Sequence, residues 1–226
     1  GNGDVIGTPD LIILPGSKNT LADLTYLKNS GLADEIKALA AKGTPVIGIC
    51  GGNQMLGTAI YDPHHMEGDI EESEGLGLVN STTTMKDKKT THQVTFDVDN
   101  LQFLNGQFSG SELVGYEIHM GDTTPNDESV KRCFTITKRS ESAIEVVDGF
   151  IDGQHQVMGT YIHGVFDNDD FRRFIVNQLR LRKGLEEMPV VFHYFEHKNN
   201  AYNRLADIVE EHLDMDYIMS LLKDNG

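Results

Sequence analysis

The sequence predicts an α/β protein, a three-layer, flavodoxin-like, mostly parallel sheet followed by C-terminal helices. Three observations carry this expectation. Residues 11–14 and Val46–Ile49 are short runs of consecutive apolar residues, the pattern of strands buried on both faces of a parallel sheet. Each run leads into a segment whose apolar residues recur at helical spacing. A third apolar stretch, residues 157–166, passes into a helix-like segment as well. Strand–helix–strand order of this kind implies right-handed parallel crossovers.

The elements follow in order. The first ten residues, beginning at Gly1, are loop-like, as expected of a piece of a longer chain. The strand at 11–14 ends at Pro15-Gly16. A helix then starts near Thr20, where Thr20 and Asp23 have the spacing of a capping box, and Leu21, Leu24 and Leu27 mark its apolar face. Leu32, Ile36 and Leu39 mark a second helix, and Gly43-Thr44-Pro45 turns the chain into the strand Val46–Ile49. A helix is expected from about Asn53. Residues 61–75 are loop-like and acidic from Glu67 to Glu74, a solvated segment or a rim over a site. Residues 82–85 and 91–98 read as two strands around a Lys-rich turn at 86–89, a hairpin. In the strand 115–121, Glu117 and His119 share one face. Two short strands, 133–137 and 143–147, follow. A helix starts near Asp169, with acids in its first turn and Arg180, Arg182 and Lys183 at its end, as the helix dipole prefers. After Pro189, two more helices are expected, over 200–213 and 216–222.

Composition narrows the function classes. The chain has 226 residues and a formal net charge of -16, which argues against a nucleic-acid or anionic-membrane surface, since both need a basic footprint. No apolar run reaches the length of a membrane span. With Cys50 and Cys133 the only cysteines, no disulfide framework is expected, and a reducing, cytoplasmic setting fits.

The chemistry centres on Gly48-Ile49-Cys50-Gly51-Gly52-Asn53-Gln54. A tight strand-to-helix turn presents its central residue, and the helix start leaves backbone N–H groups able to hold negative charge and to favour a thiolate. His163 also ends a strand and precedes a glycine, the place for a base that takes the thiol's proton. Backbone N–H groups of Gly16, Ser17 and Gly51 are candidates for an oxyanion hole. Each feature also has a plainer reading: a buried cysteine in a glycine-rich turn, a histidine ending a strand, a Pro-Gly turn. Residues 16–20 lack the spacing of a phosphate-binding loop. His193-Tyr194-Phe195-Glu196-His197 has the spacing of an inverted zinc-protease motif, but no third ligand is evident and no metal is expected. Cys133, inside an alternating strand, reads as packing.

Gly48-x-Cys50-x-Gly52-x-Gln54 resembles the nucleophile motif of the class I, triad-type glutamine amidotransferases. Within that group the chain is similar to the amidotransferase domains of the cobyric acid synthase family. The resemblance rests on Leu14-Pro15-Gly16-Ser17-Lys18-Asn19-Thr20, Gly48 to Gly57, Gly115-Tyr116-Glu117-Ile118-His119-Met120-Gly121, and Gly159 to Asp167. It implies one amidotransferase-like domain over 1–226 with a helical appendage at about 190–226, and an N-terminal synthetase domain absent from this sequence. It implies that Cys50 attacks glutamine, His163 shuttles the proton, Gly16, Ser17 and Gly51 serve the oxyanion, and Gln54 holds the substrate. ATP and Mg are expected only in the synthetase domain, with no cofactor in this chain. The implied partners are glutamine, that synthetase domain and, through it, a corrinoid. Val165 stands where the triad has its acid, so the pair is expected to act as a dyad. Glu117 and His119 are candidates for a domain interface or an ammonia path. The rival expectation is a catalytically silent module that only binds the synthetase or a corrinoid.

Overall fold

A computed structural model describes residues 5–154 and 156–223. Two compact units divide after Met188. In the first unit the elements run β1 (Ile12–Leu14), α1 (Thr20–Asn29), α2 (Leu32–Ala41), β2 (Val46–Ile49), α3 (Gly51–Leu56), β3 (Ala59–Tyr61), β4 (Glu72–Glu74), β5 (Ser81–Phe103) and β6 (Gly106–Pro125). They continue with β7 (Phe134–Arg139), β8 (Ser142–Asp148), β9 (Phe150–Ile151), β10 (Val157–Thr160), β11 (Ile162–His163) and α4 (Asp169–Arg182). The second unit contains α5 (Tyr194–His212) and α6 (Met215–Lys223). The expected α/β class and its C-terminal helices are present, and α5 begins six residues before the expected start. Residues 1–4 of the loop-like opening lie outside the described residues.

Two sheets build the first unit. The smaller has the order β1-β2-β10-β9, with β1, β2 and β10 parallel and β9 antiparallel. Its central strand, β2, buries Val46 and Ile47 completely, as the continuous apolar run requires. β1 differs from its expectation. It is an edge strand, and Ile13 is 44% exposed. Helices α1 and α2 cover their apolar faces with Leu21, Leu24 and Ile36, all buried, each worth roughly 1.5–3 kcal/mol of transfer free energy. The N-cap of α1 is Asn19, whose side chain accepts from the Ala22 N–H. The expected Thr20–Asp23 box does not form, because Asp23 takes a hydrogen bond from Ser17.

The larger sheet is mostly antiparallel, ordered β11-β6-β5-β3-β4, with β7 and β8 added beside β5. Here the expected hairpin at 82–98 is corrected. Both segments belong to one strand, β5, and both pair with β6. The turn is at Leu104-Asn105, with φ of 54° and 71°, joining Phe103 to Gly106. The Lys-rich residues 86–89 form a bulge inside the strand. Local composition is alike for a turn and a bulge, and only the common partner strand separates them. The acidic loop also differs in part, since Glu72–Glu74 pairs with β3 as a short strand.

The stretch 157–166 is two strands. β10 lies in the smaller sheet and β11 pairs with β6 in the larger. The crossing is pinned by buried Asp148, which accepts from Thr160 Oγ1 and from the Tyr161 N–H. Just beyond, Asn168 bonds both ways with the Val114 backbone, at 2.9 Å each. Phe171 of α4 is fully buried, edge-on to Phe108 and Phe134. These contacts lock α4 and β6 together and fix the segment that carries His163.

Candidate active site

Cys50 sits between β2 and α3 with φ 52° and ψ -110°, a conformation that costs a non-glycine residue about 1–3 kcal/mol and persists only where packing dictates it. The packing is visible at Gly52. A Cβ there would lie 2.0 Å from the Leu14 carbonyl oxygen, so α3 can start this close to β1 only without a side chain. The Gly52 N–H donates to the Pro15 carbonyl at 3.0 Å, tying the turn to the loop after β1. That loop brings Gly16 and Ser17 to the site. A Cβ on Gly51 would meet Ser17 N at 2.8 Å, so the proposed oxyanion backbones are neighbours.

Cys50 and His163 come from different sheets and meet at Gly16. A methyl group on residue 16 would lie 2.9 Å from His163 Cε1 and 3.5 Å from Cys50 Cβ. Cys50 Sγ donates to the Ile118 carbonyl at 3.3 Å, and the same carbonyl favours the protonated form of His163. The imidazole stacks on Tyr116, with centroids 4.9 Å apart and planes 7° apart. Its Nε2 is buried without a hydrogen-bond partner among the described residues, and Val165, where a triad acid would stand, is fully buried. A stacked ring and a carbonyl therefore orient this histidine, where a triad uses a carboxylate.

The pair lines a cavity of about 440 Å³ together with Gly16, Ser17, Gln54 and His119. Gln54 is fixed at both ends, its Oε1 accepting from Thr20 Oγ1 at 2.9 Å and its Nε2 donating to the Tyr161 hydroxyl at 3.3 Å. The Ser17 hydroxyl is spent on Asp23, which leaves its backbone as the part available to a substrate. Glu117, almost completely buried, holds Arg139 at 2.7 and 3.0 Å and faces His119 at 3.4 Å. It does not line this cavity.

Glu67 does line it, and the sequence hides this, because Glu67 opens a run of solvated acids. Buried Asp62 accepts from the Met66 and Glu67 N–H groups at 2.9 and 2.8 Å. That turn sends the Glu67 carboxylate to the start of α1, where it accepts from Thr20 N at 2.5 Å and Leu21 N at 3.3 Å. The Asp-Pro turn at residue 62 is the one sequence signal that could have drawn attention to it.

Burial is the main cause of the shifts at Cys50 and His163. It pushes the Cys50 thiol above its ordinary range, against the lowering effect of the Gly51 N–H, with the Glu67 charge raising it further. Burial and nearby His119 hold His163 below the usual histidine range. The helix start does favour a thiolate, as expected, but desolvation outweighs it. Both shifts favour the uncharged forms, the thiol and the imidazole. Cys133 is buried in the core and its thiol is pushed up strongly, in keeping with packing. Among the described residues no group of three or more His, Cys, Asp or Glu is placed to hold a metal, and His193 serves as the N-cap residue of α5. No helix of the described residues is long and apolar enough to cross a membrane.

A strained cysteine between a strand and a helix of the smaller sheet thus converges at Gly16 with a histidine carried on a strand of the larger one. The structure of PurLQS from Thermotoga maritima shares the fold, with a TM-score of 0.52 over 72% of each chain at 20% identity. The chain belongs to the CobB/CobQ-like glutamine amidotransferase domain family, which matches residues 2–171. It is 43% identical over 219 residues to the cobyric acid synthase of Dehalococcoides mccartyi, covering 97% of this chain and 42% of that protein. It is 42% identical over 217 residues to the cobyric acid synthase of Moorella thermoacetica, covering 96% of this chain and again 42% of the relative. The chain thus spans less than half the length of these curated relatives.

Proposed function

We propose that this chain is the glutaminase portion of a cobyric acid synthase. His163 takes the proton of Cys50, and the sulfur attacks Cδ of the glutamine side chain. The oxygen that becomes negative is held by backbone N–H groups of Gly51 and the Gly16-Ser17 turn. The C–N bond breaks as His163 returns its proton to the leaving nitrogen, and ammonia departs. Water then cleaves the glutamyl thioester, so that glutamine and water become glutamate and ammonia. Gln54 braces the wall of the substrate site, and the Glu67 carboxylate faces the glutamine α-ammonium group. The ammonia serves ATP-dependent amidation of the carboxylates of adenosylcobyrinic acid a,c-diamide in cobalamin biosynthesis. That step, with its ATP and Mg, belongs to the synthetase portion.

The observation that carries the reading is the convergence of Cys50 and His163 on Gly16 and the Ile118 carbonyl inside one cavity. Two features favour the silent-module reading for the chain alone. Burial disfavours the charged form of both groups, and His163 Nε2 has no carboxylate partner among the described residues. Glutamate release from glutamine by the full-length enzyme, compared with its Cys50→Ala variant, decides between them. Release that depends on Cys50 supports the glutaminase, and equal background in both supports the silent module.

A further inference from the structure

A row of hydrogen-bonded side chains runs from helices α1 and α3, at the cavity wall, to strands β5 and β6 of the larger sheet. Thr20 Oγ1 donates to Gln54 Oε1 at 2.9 Å, and Gln54 Nε2 donates to the Tyr161 hydroxyl at 3.3 Å. That hydroxyl lies 2.7 Å from Thr123 Oγ1, which in turn lies 2.7 Å from Thr83 Oγ1. All of these residues are buried. A Cβ on Gly121 would lie 2.1 Å from Gln54 Nε2 and 2.9 Å from the Tyr161 hydroxyl, so β6 comes this close to the pair only because residue 121 has no side chain.

Each hydroxyl carries one proton, and this sets the order of the row. Thr20 spends its proton on the Gln54 oxygen. Tyr161 receives the Gln54 N–H, so its own proton goes to Thr123, and that of Thr123 goes to Thr83. Turning the Gln54 amide over would set its oxygen against Tyr161, and the protons of Tyr161, Thr123 and Thr20 would all have to turn with it. A buried row resists this, because any proton left behind is an unmade hydrogen bond. Nε2 has two N–H bonds. The one not given to Tyr161 has no acceptor among the described residues, and Gln54 lines the Cys50 cavity.

We propose that Tyr161 is a positioning residue for the glutamine site: its hydroxyl, ordered by Thr123, holds the Gln54 amide so that the unspent N–H serves the substrate. This rests on the glutaminase reading above. The acceptors of bound glutamine are its oxygens, and a turned amide would put an oxygen where that N–H stands. Tyr161 acts through Gln54 and does not touch the reacting atoms. Its ring also stacks on His119, with centroids 3.9 Å apart, so removing the hydroxyl leaves the ring seated.

The test removes the hydroxyl, and separately the group that orders it. Tyr161→Phe is made in the full-length enzyme, together with Thr123→Val, which alters no atom bonded to Gln54, and the double variant. Glutamate release is followed against glutamine concentration. The proposal expects KM for glutamine to rise about tenfold in Tyr161→Phe and at least about threefold in Thr123→Val, with kcat within about threefold of wild type in both. The double variant should be no worse than Tyr161→Phe alone, as members of one row are not independent. An unchanged KM with a lowered Tm is the mark of a merely structural hydroxyl and overturns the proposal. So does a fall in kcat at constant KM, or a double variant in which the two effects multiply. Each of these leaves the glutaminase reading standing. Should Tyr161→Phe fail to fold, Thr123→Val decides by the same two constants. A wild-type enzyme that releases no glutamate overturns both.

Discussion

The two sheets each supply half of the site, and they hold their halves differently. The smaller sheet presents Cys50 by backbone packing, with Gly52 against Leu14 and the Gly52 N–H on Pro15. The larger sheet presents His163 by softer means, a stack on Tyr116 and a nearby Ile118 carbonyl, with Nε2 left without a partner among the described residues. Cys50 is thus fixed by contacts that admit no added atom. His163 is oriented by contacts that a small shift can weaken. Catalysis on the proposed scheme depends on the seam between them, where Gly16 touches both.

The largest effect is expected on the rigid side. Gly52→Ala places a methyl group against a backbone oxygen, which has nowhere to go. Destabilisation of about 3 kcal/mol or more is expected, read as a fall in Tm of roughly 6–12 °C. On the soft side, His163→Ala should leave Tm nearly unchanged and cut glutamate release by about 10²–10⁴-fold. An equal loss of stability in both variants would erase the distinction.

A smaller effect is expected at Glu67. Glu67→Gln keeps the shape of the side chain and removes its charge. Loss of a charge-assisted contact of about 1.4 kcal/mol corresponds to a tenfold rise in KM for glutamine, with kcat little changed. A fall in kcat at constant KM would place Glu67 in the chemistry, contrary to its proposed role. The subtlest effect is in pH. Because burial raises the Cys50 thiol, its alkylation by iodoacetamide should still be climbing at a pH where an ordinary cysteine, with pKa ~8.5, has levelled off. Because His163 is lowered, its base form persists into more acidic solution. The acid limb of glutamate release should therefore fall below the ordinary histidine value of ~6.5. A limb at or above that value would contradict a buried neutral imidazole.

The same division governs what the sequence reveals. The Cys50 turn is legible because its determinants are local: an apolar run, flanking glycines and a helix start within a dozen residues. His163 is legible for the same reason. Tyr116 and the Ile118 carbonyl are not, because their roles exist only once β11 pairs with β6. Glu67 is hidden among acids that do face solvent, and only the turn held by Asp62 distinguishes it. The Lys-rich residues 86–89 mislead, since charged, flexible residues suit a hairpin turn as well as a bulge. β1 misleads in the same way, because consecutive apolar residues do not say whether a strand is central or at an edge.

On the proposed scheme, Cys50 is a glutamine-directed nucleophile activated by His163. A diazoketone analogue of glutamine, incubated with the full-length enzyme and followed by peptide mass spectrometry, tests it most directly. Modification of Cys50, with Cys133 spared, slowed by added glutamine and by His163→Ala, is the predicted result. An unmodified Cys50, or labelling indifferent to both glutamine and His163, would contradict it.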